Sequence, residues 1–321
     1  MDPVSHLLFG RTIALTMHRR SVLKGVTAAL VLGSILPDAD AVLAPFGFDL
    51  YLRAHASGTH ALLGSLAEAW VLTLVLRIAV SRSRVLPLFL ASWVGVAGHI
   101  LWDLVDGSDI KLFQPFSDAS WGWHLVAMGE PMVLVTLAAA VFVAWRWPPR
   151  ARHAAGAALL LLSALLAVKK ITQSWAHARY IEAVESDTPG SIAIAPSLGR
   201  VFAWTIYDRD GDRVRAWNVN GRTGDTTLAF EYHDAPDAPA VALSRELPVV
   251  RAFLGLSKIS FVRLERDGPE RLVLWSDVST CSIRGCDLSF GGAFDRNTAP
   301  LYQLIRIGGF SQRRPLPRGR P

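Results

Sequence analysis

Apolar residues crowd the first half of this chain in long runs with short polar breaks, whereas the second half alternates apolar and polar positions. Residues 61–80 and 85–105 are each long enough to cross a bilayer as a helix, which takes about 20 apolar residues, and the turn SRSR joins them. Shorter runs over 22–36, 131–147 and 154–168 predict three further spans. The first stops at Pro37. The last two are parted by RWPPRAR, whose proline pair removes backbone donors and breaks a helix. Residues 5–17 are apolar but short for a span. Basic residues follow that run and no small-residue cleavage site appears, so it does not read as a signal peptide.

Beyond about Ala178 the period changes to two. The runs SIAIA, VFAWTIYD, RVRAWNVNG, TTLAFEYH, SFVRLERDG and RLVLWSDV, separated by turn residues, predict antiparallel strands. One helical piece is expected near residues 247–256. Asp208, Asp210 and Asp212 faintly suggest a calcium loop, but the rest of that pattern is missing and a hairpin turn is expected. The fold class is therefore mainly α: a polytopic helical membrane domain over 1–170, a smaller strand-rich α+β domain over 171–307, and a disordered basic tail over 308–321.

Composition agrees with this division. The chain is 51% hydrophobic and 19% charged, with a net charge of +6. The excess charge sits beside apolar runs (Arg19, Arg20, Lys24; Arg77, Arg82, Arg84; Arg146, Arg150, Arg152) and in the tail (Arg313, Arg314, Arg318, Arg320). Basic clusters flanking spans mark a cytoplasmic face, and this placement argues against a nucleic-acid partner. The basic turns alternate with the polar loops 37–60 and 106–130. Both loops, His6 and everything after Lys170 are then expected on the extracytoplasmic side of a multi-pass inner-membrane protein. Cys281 and Cys286 suit a local disulfide on that side, or two free thiols; no further ligands complete a zinc site around them.

The chemistry-bearing residues gather on the same predicted side: His6, Asp38, Asp40, His55, His60, His99, Asp103, Asp106 and Glu130. His99 and Asp103 lie one helical turn apart inside an apolar run, where an unpaired imidazole and carboxylate are expensive. Each of the others has a plainer reading. Asp38 and Asp40 after Pro37 suit a helix end and a cap, His55 and His60 flank a turn-like Ser-Gly-Thr, and Glu130 before Pro131 suits a helix start. Trp121 and Trp123 read as interface anchors, and His124 as a further ligand or an interface residue. Taken jointly, the nitrogen and oxygen donors suit a divalent metal, zinc foremost.

The order of motifs resembles a known family. His6, LPDAD (Leu36 to Asp40), His55-x-x-Gly58-Thr59-His60, Gly98-His99-x-x-x-Asp103 and Pro115-Phe116-Ser117 are similar to the membrane-bound, metal-dependent hydrolases of the YdjM type, also described as LexA-binding inner-membrane proteins. The resemblance covers about residues 1–135. The strand-rich remainder resembles an extension of longer members through Pro196, Trp204 and VVRAFLGLSKISFVRLERDG. The chain departs from the family where Ala56 and Ser57 replace an Arg-bearing step and Ala61 replaces a Ser. The missing Arg leaves substrate choice open. A remoter similarity, in ligand order alone, is to zinc-dependent phospholipase C.

The resemblance implies His6, Asp38, His55, His60, His99, Asp103 and Glu130 as metal ligands, with Asp38 or Asp40 as general base. Metal-assisted hydrolysis is then expected, and the expected location of the site at the bilayer surface points to a phosphoester or other ester as substrate, with membrane lipids as partners. A structural metal site beside a partner-binding C-terminal domain, and an ion or proton transporter, are the rival readings. Transport calls for ionisable residues with a path to both faces, and these cluster at one end.

Overall fold

The computed structural model describes residues 2–17, 25–79, 84–107, 109–184, 191–235 and 238–316, with the side chains of Ala56 and Ser57 set aside. The expected basic residues Arg19, Arg20, Lys24, Arg82, Arg318 and Arg320 lie outside the described residues. The chain divides into two units, one of residues 1–172 with 196–201, the other of 173–195 with 202–321.

The first unit is helical. It opens with α1 (Pro3–Thr16), where Asp2 caps the helix by accepting a hydrogen bond from the Ser5 N–H at 2.9 Å and Pro3 takes the first turn. Helix α2 (Val26–Gly33) is much shorter than the span expected over 22–36. It ends before Pro37, and a 3-10 turn (Pro37–Leu43) leaves it at a 52° bend. Then come α3 (Phe48–Arg53), a π-helical turn (Ala54–Thr59), α4 (Leu62–Ala79) and α5 (Val85–Asp106). Helix α6 (Pro131–Arg146) follows a loop. The Pro148–Arg150 turn then leads into α7 (Ala151–Ala183), a 33-residue helix that outruns the expected 154–168. Lys169 and Lys170 do not end it, because the polar sequence after them remains helix-forming and buries Ala176 and Tyr180.

Among the described residues, three helices are long and apolar enough to cross a membrane, and a fourth is counted if α2 and its bent turn make one span. Their outward faces are apolar, as in Trp70, Val71, Leu74, Val75 and Ile78 of α4, all exposed. Inside, α1, α2, α4 and α5 share a core of Ala29, Leu30, Leu72, Leu76 and Leu88. A second cluster joins α1, α5, α6 and α7 through Phe9, Trp102, Val133, Leu137 and Leu162. The α2–α5 crossing is set by two glycines. A Cβ on Gly33 would stand 2.6 Å from the Ser92 carbonyl oxygen, and one on Gly95 2.6 Å from that of Leu30. Small residues permit this close approach, and it delivers the end of α2 to His99.

The second unit is mostly antiparallel sheet. Strands β1 (Ser191–Pro196), β2 (Ala203–Asp210), β3 (Arg213–Asn220) and β4 (Thr226–His233) form one sheet in sequence order. Two short helices, α8 (Pro239–Ser244) and α9 (Pro248–Leu254), precede the second sheet. Its strands are β5 (Ser260–Asp267), β6 (Glu270–Asp277), β9 (Leu288–Phe294), β10 (Pro300–Ile307) and β11 (Phe310–Arg314), ordered 11-10-9-6-5. Between β6 and β9 a small hairpin, β7 (Cys281–Ser282) and β8 (Gly285–Cys286), carries a disulfide between Cys281 and Cys286.

The tail expected to be disordered from Gly308 is instead paired as far as Arg314. Strand β11 folds back on β10, so that its basic side chains extend from an edge strand. The Asp208–Asp212 stretch is the β2–β3 hairpin, with Gly211 at φ +61°. Asp208 itself is buried and accepts from the Tyr180 hydroxyl, Arg215 Nε at 2.7 Å and Trp217 Nε1 at 2.9 Å. Those partners account for it without a cation.

Candidate metal centre

Four turns and helices of the first unit bring the polar residues together. α1 supplies His6. The 3-10 turn after α2 supplies Asp38 and Asp40, the π-helical turn supplies His55, and His60 follows it. α5 supplies His99 and Asp103. π-helical turns are rare and often sit at functional sites; here one widens the helical path between α3 and α4 and sets His55 and His60 about the same centre.

Asp103 is the hub. Its Oδ1 lies 3.2 Å from His6 Nε2, and its Oδ2 lies 3.1 Å from His60 Nε2 and 3.0 Å from His99 Nε2. Asp38 Oδ1 stands 3.5 Å from His99 Nε2 and 4.0 Å from His60 Nε2. Three donor groups cluster tightly enough to share an ion: His6, Asp38 and His99; Asp38, His55 and His60; His60, His99 and Asp103. In each, the ligand atoms lie within 4.8 Å of one another. His6, His60 and His99 are fully buried, whereas the side chains of Asp38 and His55 are 28% and 29% exposed. The centre is closed on one side and open on the other.

The hydrogen bonds around the rings assign the protons. His99 Nδ1 lies 2.9 Å from the Ser34 carbonyl oxygen, an acceptor only, so Nδ1 carries the proton. That carbonyl is an unused one at the end of α2. Thr59 Oγ1 donates to Asp40 Oδ2 at 2.6 Å and lies 2.9 Å from His60 Nδ1. Its one proton is committed to the carboxylate, so His60 Nδ1–H donates to Thr59. His55 Nδ1 donates to the same Asp40 oxygen at 3.1 Å. In neutral His60 and His99 the Nε2 atoms are then lone pairs. They face each other at 3.1 Å and both face the Asp103 carboxylate.

With both rings neutral, three acceptors converge with no donor among them. His6 Nδ1 has no hydrogen-bond partner among the described residues and Nε2 meets only Asp103, although the ring is fully buried and stacked on His99 at 3.7 Å. Such a convergence is balanced only by positive charge. The spacing suits a shared cation, because ligands on one tetrahedral zinc stand about 3.3 Å apart. Burial pushes the His60 imidazole below its ordinary pKa, toward the neutral form that ligates metals.

The remaining expected residues fall elsewhere. Asp40 is held by Thr59 and His55 as a supporting carboxylate and is absent from the three clusters. Glu130 is not brought into the cluster. Its carboxylate is buried, accepts from the Gly199 N–H at 3.1 Å and pairs with buried Lys169 at 3.5 Å, and these partners use the charge that a metal would need. Its other expected part, marking a helix start, stands, since α6 begins at Pro131. Asp106 ends α5, and His124 lies 3.4 Å from Asp109 at a backbone φ of +51°; neither joins the donor clusters.

Three residues near the site escaped the sequence reading. Thr59 was legible as part of the His-x-x-Gly-Thr-His element but not as a relay. Tyr51 leans on His55 with ring centroids 5.2 Å apart, and burial, followed by the charges of Asp40, Asp38 and Asp103, raises its hydroxyl pKa. Glu68 was signalled by its charge inside the apolar run of α4. One of its oxygens is buried without a hydrogen-bond partner among the described residues, and the group is electrostatically coupled to His99 and Asp40. An unsatisfied buried polar group costs about 1–3 kcal/mol. Glu68→Met is therefore expected to raise the thermal midpoint of the purified protein. A lower midpoint would mean that a partner already offsets the burial.

The first unit thus combines apolar helices with a buried His/Asp cluster at one end of its α4–α5 pair. The family model described as YdjM inner membrane protein matches residues 1–176, and the chain belongs to that family. No curated protein and no solved structure matches it significantly, and a similarity to phospholipase C is not shown.

Proposed function

We propose that this protein is a multi-pass inner-membrane, metal-dependent hydrolase acting on a phosphoester or other ester at the bilayer surface, with zinc-like divalent ions held by His6, Asp38, His55, His60, His99 and Asp103. The observation that carries this reading is the convergence of His60 Nε2, His99 Nε2 and an Asp103 oxygen within 3.0–3.1 Å of one another, while each Nδ1 faces a partner outside the cluster. Metal ions bound there supply a water of lowered pKa and a charge that stabilises the developing oxyanion.

The chain's own residues supply the rest. Asp103, 4% exposed, gathers three imidazoles and serves as a ligand. Asp38 is part of two donor groups and reaches solvent at the open edge, where it can accept a proton from an incoming water. The partial exposure of Asp38 and His55 favours a catalytic site over a purely structural one, which needs no opening.

Arg77 in the last turn of α4 and Arg84 before α5 mark the end of that helix pair remote from the site. By the positive-inside tendency this supports an extracytoplasmic site, and the disulfide supports the same side for the strand domain.

The test is elemental analysis of the full chain purified in maltoside micelles, paired with hydrolysis of bis(p-nitrophenyl) phosphate and p-nitrophenyl acetate. Bound divalent metal, and turnover that a chelator removes and zinc restores, is the expected result. Turnover indifferent to chelation would exclude the mechanism. Asp38→Asn is expected to keep the fold while losing turnover.

A further inference from the structure

The rings of Tyr51, His55, His60, His99 and His6 touch in series, with centroids 5.2, 4.1, 5.1 and 3.7 Å apart. Burial deepens along the series. Tyr51 is half-buried, His55 is partly exposed, and the last three are sealed from solvent. Asp38, also partly exposed, sits among the ligand atoms of the outer donor group with His55 and His60. The column has one wet end, and Tyr51 stands on it.

Tyr51 comes from α3, which contributes none of the clustered His and Asp residues. Its hydroxyl lies within electrostatic range of Asp40, Asp38 and Asp103. Among the described residues that hydroxyl has no hydrogen-bond partner; only its ring and backbone are engaged. A phenol is a hydrogen-bond donor at neutral pH. The nearby Asp40 carboxylate is already taken by Thr59 and His55. A donor at the mouth of an acceptor-lined site, with no protein acceptor, is free for an oxygen that arrives from outside.

We propose that Tyr51 is a substrate-binding residue of this centre, donating a hydrogen bond from its hydroxyl to an anionic phosphoryl oxygen held at the open end. The proposal rests on the metal-dependent reading above and narrows its substrate class. A phosphoryl group presents several acceptor oxygens in a tetrahedral array, so one can meet the ions while another meets Tyr51. A carboxylic ester has a single strong acceptor, its carbonyl oxygen, which the ions and the hydroxyl would have to share. The phosphoryl group of a lipid and free phosphate offer the same oxygens.

The experiment is calorimetric titration of the zinc-loaded full chain, wild type and Tyr51→Phe, with inorganic phosphate and, separately, with dioctanoyl phosphatidic acid. Zinc content and thermal midpoint are measured on the same samples. Tyr51→Phe is expected to keep the zinc and the midpoint while binding phosphate about tenfold more weakly, as loss of one hydrogen bond to a charged group predicts. The same loss with phosphatidic acid identifies a lipid as the source of the phosphoryl group; a loss confined to inorganic phosphate identifies the free anion. Equal affinities in the two proteins overturn the proposal. So does loss of zinc from the variant, which would make the hydroxyl a support for the ligands. A wild type that holds zinc yet binds neither probe overturns the role of Tyr51 alone, whereas one that takes up no zinc overturns the metal reading beneath it.

Discussion

His99→Ala combined with Asp103→Ala is expected to strip the centre of most of its metal while leaving the helical domain folded. His99 belongs to two of the three donor groups and Asp103 to one, so the double substitution leaves only Asp38, His55 and His60 intact. It also removes the carboxylate that three imidazoles approach within 3.2 Å. Elemental analysis of the two purified proteins reads the first effect directly. Equal metal content would rule out a metal centre at these residues.

The second effect is thermodynamic. A ligand that binds only the folded state at about 100 times its Kd adds about 2.7 kcal/mol of stability. The wild-type midpoint should therefore fall on chelation and recover with zinc, and the double variant should respond to neither. Under chelator the variant should match or exceed the wild type, because it no longer buries a carboxylate among uncompensated acceptors. A variant that unfolds even under chelator would instead point to Asp103 as a structural hub.

The next largest effect is expected from a residue that contacts no metal. Thr59→Val keeps the shape of the side chain and removes the hydroxyl that passes a hydrogen bond from His60 Nδ1 to Asp40. Without it His60 is free to place its proton on Nε2, which blocks the nitrogen aimed at Asp103. Partners of this kind typically carry 10- to 100-fold in metal affinity. Zinc affinity measured against a competing chelator should fall by about that factor in Thr59→Val and recover in Thr59→Ser. If Val at this position binds zinc as tightly as Thr, the ring is oriented by packing alone. The relay also recasts Asp40. Expected from sequence as a catalytic carboxylate, it has its Oδ2 engaged by both Thr59 and His55 and works as an anchor.

The apolar runs were long and clean enough to place α4, α5 and α6 to within a residue or two, since burial in lipid or core demands the same composition. α2 was overextended because a run that stops at proline says nothing of where within it the helix begins. α7 was cut short because paired lysines look like a span end, whereas Lys169 is in fact buried against Glu130 and the Arg200 carbonyl oxygen. In the second unit, β1 to β6 showed their alternation. Strand β9 did not, being buried on both faces and interrupted by Gly291, whose Cβ would strike the Val273 carbonyl oxygen at 1.8 Å.

What the sequence determined alone was the inventory: apolar helices, a strand-rich second half, and His and Asp residues in an order that matches the family. Local composition carries these because helix propensity, hydrophobic period and motif spacing are properties of neighbours along the chain. Which donors meet was decided only by the tertiary structure. The Gly33–Gly95 crossing sets the Ser34 carbonyl beside His99, and the π-helical turn sets Thr59 and Asp40 behind His60. Lys169, 39 positions further along the chain, draws Glu130 away from the ligands it was expected to join. Contacts between residues so far apart depend on how helices pack, and no window of sequence contains that information.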